Sequence, residues 1–236
     1  MKRFTLIELL VVIGIISILA TLIIPSLSKA RDKVKMGVCI NNLSQIGKAN
    51  AMYLMDGEDI FPVPPIGASQ TCYGWFGKKG THGNGGGNFE IEQKPLNIYL
   101  DITENNKDNN VAVCPNSNGH ALNSIGSSYM VASRSDCHGD LDGASSKQYL
   151  GAINHPTVQV LASSFLGFHF SQYGWSNTSH QPKNDLHSYG KGIFPYVFID
   201  GHALFMKIQR SEGVRNNGDL SRDPVWFQRI DWTNIK

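Results

Sequence analysis

Residues 4–27, FTLIELLVVIGIISILATLIIPSL, are apolar on every face of a helical wheel, and Glu8 is the one charge among these 24 positions. At ~1.5 Å rise per residue such a helix is roughly 36 Å long, enough to cross a hydrocarbon core of ~30 Å. A secretory signal has a shorter apolar core ending in a small-x-small cleavage site. Here the run is too long, Ala20-Thr21 is a poor site, and a helical pattern continues beyond Pro25. A buried core helix is the alternative, but few helices of soluble domains are this apolar on all faces. The pattern predicts a membrane span.

Past Pro25 the pattern changes period. Leu27, Ala30 and Val34, then Cys39, Leu43, Ile46 and Tyr53, recur at three-, four- and seven-residue spacings, while Lys29, Arg31, Asp32, Lys33, Lys35, Asn42, Gln45 and Lys48 fill the other faces. This is an amphipathic helix over 28–56, continuous with the span, whose stripe is expected to pack on a globular domain. Asp56-Gly57 ends it, with Gly57 as the expected C-cap, and Pro62, Pro64 and Pro65 prevent its resumption.

Residues 57–236 contain no repeat and no long amphipathic helix. YVFIDGHALFMKI (196–208) places two β-prone runs around Asp200-Gly201, a two-residue hairpin signal. VQVLAS (158–163) and SSYMVAS (127–133) read as further strands, PLNIYL (95–100) as a short helix or turn, and GKKGTHGNGGGN (77–88) as a surface loop. The expected fold class is α+β: a long N-terminal helix on a small antiparallel sheet with long loops.

Composition alters this picture little. A formal charge of 21 − 19 = +2 gives no basic excess, so no nucleic-acid partner is indicated. Gly-, Asn- and Ser-rich sequence after residue 56 points to an extracytoplasmic, loop-rich domain. Cations flank both sides of the span, so their bias leaves its orientation open. Cys39, Cys72, Cys114 and Cys137 contain no C-x-x-C pair and allow three disulfide pairings. Cys114–Cys137 closes the shortest loop and is the candidate pair, with buried or free thiols as the alternative.

Glu8 carries the most specific chemistry. A charge at the centre of a spanning helix costs ~2.5–3.5 kcal/mol, somewhat less near an end. No Lys, Arg or His lies between Phe4 and Leu27, so a cationic partner must come from outside the span. A cut between Arg3 and Phe4 would create an ammonium group at nearly the depth of Glu8. One chain's amine could then neutralise a neighbour's carboxylate where helices pack side by side with an axial offset. The alternative is a carboxylate snorkelling to the headgroups.

The domain offers weaker candidates. His169, His180, His187 and His202 with Asp185 and Asp200 have the ligand types of a transition-metal site, but no ligand-spacing motif. DCHGDLDG (136–143) brings Asp136, Asp140 and Asp142 to a Gly turn, a candidate for structural Ca²⁺, although an EF-hand pattern fails at His138 and lacks the closing Glu. The Gly-rich 77–88 stretch matches no phosphate-loop spacing. Trp75, Trp175, Trp226 and Trp232 read as core more readily than as a binding surface. No catalytic residue and no cofactor beyond that Ca²⁺ is expected.

Residues 2–31, with FTLIELLVVIGIISILATLIIPSLSKAR at 4–31, resemble the N-terminus of type IV pilins and type II secretion pseudopilins. The resemblance implies that a prepilin peptidase removes a leader of residues 1–3 and methylates the amino group of Phe4. It implies a one-span protein of the bacterial inner membrane with its C-terminal domain (57–236) outside the cytoplasm. Such a chain joins a helical filament, of a type II secretion or type IV pilus system, through an inner-membrane assembly platform. Its partners are other pilin or pseudopilin subunits and the lipid bilayer. Glu8 would receive a neighbour's amine, and Pro25 would be the family's helix kink. The family usually has Gly before the cleavage point, where this chain has Arg3. His187 with Asp200-Gly201 resembles the C-terminal H-x-DG feature of large prepilin-like families, and VAVCPN (111–116) resembles their Cys-Pro element; the feature has nine intervening residues, and here 188–199 make twelve. The competing expectation is an uncleaved, membrane-anchored binding protein or metal-dependent enzyme that uses the His and Asp clusters.

Overall fold

The computed structural model describes residues 5–57, 59–62, 74–82, 86–104, 106, 110–115, 126–131, 150, 157, 160–164 and 193–207. The first element, α1, runs unbroken over Leu6–Asp56, 51 residues, or roughly 77 Å. The expected span and the amphipathic half are therefore one rod. It passes through Pro25, whose missing N–H leaves the Thr21 carbonyl without its helical donor. At the far end the Gly57 N–H donates to Tyr53 O and the Asp59 N–H to Leu54 O, each at 2.9 Å. Gly57 is the C-cap as expected, but its φ of −107° is not left-handed. Asp59, at φ 62°, takes that conformation two residues later.

β1 (Gly80–His82) and β2 (Gly86–Phe89) form an antiparallel pair. They lie within the stretch expected to be only a loop, because glycines carry no side-chain alternation from which a strand can be read. A 3-10 turn at Ile91–Gln93 follows. It leads into the helical turns of 95–100, where the Tyr99 N–H donates to Leu96 O at 3.1 Å. β3 (Tyr129–Val131), β4 (Val160–Ser164), β5 (Ile193–Phe198) and β6 (Ala203–Lys207) build one four-stranded sheet in that order, antiparallel throughout. The architecture is α+β, a long helix on a small antiparallel sheet.

The helix seats the sheet through Cys39, Asn42, Leu43, Ile46, Gly47, Asn50 and Leu54, all buried and at helical spacing. Leu27, Ala30 and Val34 were expected on the same packed stripe, yet all three are exposed. The domain covers only the last part of the rod. Leu43 and Ile46 join a core with Tyr129, Leu161, Phe194, Tyr196, Phe198 and Met206, each at most 1% exposed. Trp75 is part of this core, as its residue type suggested.

Cys114 pairs with Cys39, not with Cys137: the Cys39–Cys114 bond joins Cα atoms 5.2 Å apart across 75 residues of sequence. The shortest-loop argument fails because helix packing, rather than sequence proximity, brings the 110–115 loop to the rod. Asn42 Nδ2 donates to Val113 O at 2.9 Å, and the Tyr129 hydroxyl donates to Cys39 O at 3.3 Å. Burial pushes the Tyr129 phenol well above its usual range, which keeps it a neutral donor here.

Candidate assembly site

The helix N-terminus answers part of the question posed by Glu8. Thr5 is the N-cap, and its hydroxyl accepts from the Glu8 N–H at 3.3 Å. Glu8 Oε2 in turn accepts from the Thr5 N–H at 2.8 Å and from the Thr5 hydroxyl at 2.9 Å. This is a capping box, and it satisfies donors that the first helical turn otherwise leaves unpaired. Looking only for a cation missed it. The signal was present as Thr5-Leu6-Ile7-Glu8, a T-x-x-E directly before an apolar run. Both bonds use Oε2, so Oε1 accepts nothing among the described residues. Arg3 and Phe4 lie outside them.

From Leu6 to Leu27, fifteen large apolar side chains are exposed, with Leu6 at 79% and Leu22 at 71%. Each contributes ~1.5–3 kcal/mol when fully buried, so leaving this surface in water costs tens of kcal/mol. The polar side chains within the run do not relieve that cost. Ser17 donates to Ile13 O at 2.7 Å, Thr21 to Ile18 O at 2.7 Å and Ser26 to Ile23 O at 2.8 Å, so each hydroxyl is spent on its own helix. Among the described residues this is one helix long and apolar enough to cross a membrane. Its geometry suits lipid or the apolar flanks of other helices.

The Asp200-Gly201 turn touches the same helix higher up. The Gly201 N–H donates to Phe198 O and the Phe198 N–H to His202 O, each at 2.9 Å. The loop is thus the three residues Ile199-Asp200-Gly201, with Gly201 left-handed at φ 87°, rather than a two-residue turn. Asp200 Oδ1 accepts from the His202 N–H at 3.2 Å and lies 2.5 Å from His202 Nδ1. The His202 ring stacks on Phe198 with centroids 4.2 Å apart. Turn chemistry and packing against the helix account for both Asp200 and Gly201. His187 lies outside the described residues, as do Asp136, Asp140, Asp142, Cys137, His169, His180 and Asp185.

One constellation had no signature in the sequence. Lys94 is 2% exposed, and its ammonium donates to Phe76 O at 3.2 Å and Lys78 O at 2.7 Å. Burial pushes its pKa down to about 7. Asn97 beside it donates to the carbonyls of Gly77 at 2.9 Å and Ile91 at 2.8 Å, and accepts from the Gly77 N–H at 2.8 Å. These two side chains fasten the 74–78 segment to the 91–100 turns and serve the fold.

A 57-residue stretch, 24% of this chain, is 47% identical to the type IV wide pilus major component PilA4 of Thermus thermophilus, and it spans 44% of that protein's length. No protein-family profile matches the chain. No solved structure matches it. The relative and the long N-terminal apolar helix fit a type IV pilin-like protein.

Proposed function

We propose that this chain is a structural, non-enzymatic subunit of a helical filament. The observation that carries this reading is the division of the molecule. Leu6–Leu27 of a continuous 51-residue helix are bare of its own domain and apolar on all sides, while only its last part, from Cys39 on, anchors a folded sheet. A filament subunit needs an apolar rod for its core and a polar contact that fixes the axial offset between rods.

In this reading residues 1–3 are a leader removed by a prepilin peptidase, and the newly exposed amine of Phe4 is methylated. Glu8, its Oε2 held by Thr5, offers Oε1 to the amine of a neighbouring subunit. The chain waits as a one-span protein of the inner membrane with residues 57–236 outside the cytoplasm. It enters a type IV pilus or type II secretion filament through that system's assembly platform. The similarity to a type IV pilus major component supports the pilus over the secretion filament.

The deciding measurement is the intact mass and N-terminal residue of the protein from its native membrane. A chain beginning at methylated Phe4 supports the proposal and shows that Arg3 is tolerated before the cut. A chain still beginning at Met1 or Lys2 removes the amine that Glu8 would meet, and with it the proposal.

A further inference from the structure

Between the apolar span and the seated domain, α1 carries a second stripe left uncovered by the described residues. Leu27, Arg31, Val34 and Val38 follow at four-, three- and four-residue spacing and so share one face. All four are exposed, Val34 by 67% and Val38 by 42%. At ~100° per residue this face lies roughly a third of a turn from the one that holds Leu43, Ile46 and Asn50. Lys35 borders it, and no ion pair engages Arg31 or Lys35 among the described residues. Lipid does not account for the stripe. Val34 and Val38 stand roughly 10 and 16 Å beyond Leu27 along an upright helix, whereas the headgroup layer adds only ~5–8 Å to each side of the hydrocarbon core.

A complementary surface lies on the domain. An open groove of about 520 Å³ is lined at the surface by Pro95 and Ile98, with Ile91 and Ile102 buried beneath them and Glu92 and Glu104 at its edge. Ile98 is 83% exposed, so no described residue fills the apolar part. Lys94 also borders the groove, but its ammonium is committed to the Phe76 and Lys78 carbonyls. The groove is therefore apolar with an acidic edge, and the stripe is apolar with a basic edge.

Their positions along the rod agree with packing between copies. The Tyr99 ring stands edge-on to Tyr53, with centroids 6.0 Å apart, and its hydroxyl donates to Asp56 Oδ2 at 2.9 Å. The groove thus sits beside the C-terminal end of α1, about 22 residues or ~33 Å above Val34. A second copy lying parallel and raised by about that distance would bring its bare neck to this groove and hold its own domain clear of the first.

We propose that the groove edged by Glu92 receives the Leu27–Val38 stripe of a second copy of this chain, with Arg31 and Lys35 meeting its carboxylate. This deepens the filament reading and rests on it. The test uses the full chain in its native assembly system, with Ile98 replaced by the photo-crosslinking residue p-benzoylphenylalanine. The expected product in isolated filaments is a covalent dimer in which position 98 is joined to residues 27–38 of another copy. Crosslinks from filaments to lipid, to another protein or to another segment overturn the groove assignment and leave the filament reading standing. Failure of the unmodified chain to enter filaments overturns both. Charge reversal gives a second readout: Glu92→Lys, or Arg31→Glu with Lys35→Glu, should lower filament yield at least tenfold. All three changes together should restore most of it. Equal yields for these variants and the unmodified chain overturn the pairing.

Discussion

Gly47 on the helix lies directly against Gly201 in the β5–β6 turn: a methyl group at Gly47 would stand 3.2 Å from Gly201 Cα and 2.8 Å from Val197 Cγ2. The hairpin can approach the rod this closely only because position 47 has no side chain, and it can turn there because Gly201 accepts φ 87° without strain. The Asp200-Gly201 pair is thereby tied to the helix by packing.

Gly47→Ala should lower stability by about 1–3 kcal/mol despite the better helix propensity of alanine, because the hairpin backbone must shift. Gly37→Ala is the matched control, since a methyl there meets nothing within 4 Å and should stabilise by up to ~1 kcal/mol. Thermal unfolding of the two full-length variants in detergent checks this; equal shifts in the same direction would rule out the close approach.

Cys39→Ser or Cys114→Ser should cost roughly 4 kcal/mol, because the bond closes a loop of 75 residues that is otherwise free in the unfolded chain. Peptide mapping without reduction should yield a fragment that joins Cys39 to Cys114. Recovery of Cys114 joined to Cys137 would contradict the structure.

Lys94 predicts a pH dependence with a definite sign. Burial lowers its folded pKa from 10.5 to about 7, so between these values the unfolded chain binds a proton that the folded chain does not. Stability from this group is complete above the unfolded pKa and is lost as pH falls towards 7. The slope cannot exceed ~1.4 kcal/mol per pH unit, and the carbonyls that accept from the ammonium hold back part of it. Denaturant unfolding at pH 7.5 and pH 9 should show the protein about 1–2 kcal/mol more stable at the higher pH, and Lys94→Met should lack that difference.

Glu8→Ala should leave membrane insertion intact and sharply reduce filament yield; normal filaments from this variant would exclude the assembly role proposed for the carboxylate. Thr5→Val keeps the shape of the side chain but removes the hydroxyl that bonds Glu8, at a cost of ~1 kcal/mol to the cap. Its yield should fall between those of Glu8→Ala and the unmodified chain, with Thr5→Ser near normal. Negative-stain microscopy of sheared filaments scores all four chains.

The sequence alone determined the rod. An apolar run without period, then a three-to-four period, then Asp56-Gly57, describe a long helix that is apolar first, amphipathic next, and then stops, because these signals are local. The T-x-x-E cap was equally local and open to reading. The strands around Tyr129, Val160 and Tyr196 were legible from β-prone runs, whereas β1 and β2 were not, since glycine-rich strands leave no pattern. Tertiary structure decided everything that depends on which distant segments meet. It joined Cys39 to Cys114 across 75 residues, buried Lys94 among carbonyls, and set the hairpin turn against Gly47. It also fixed where the domain begins to cover the rod, at Cys39 rather than at Leu27, because periodicity reports that a face is apolar but not what, along its length, comes to lie on it.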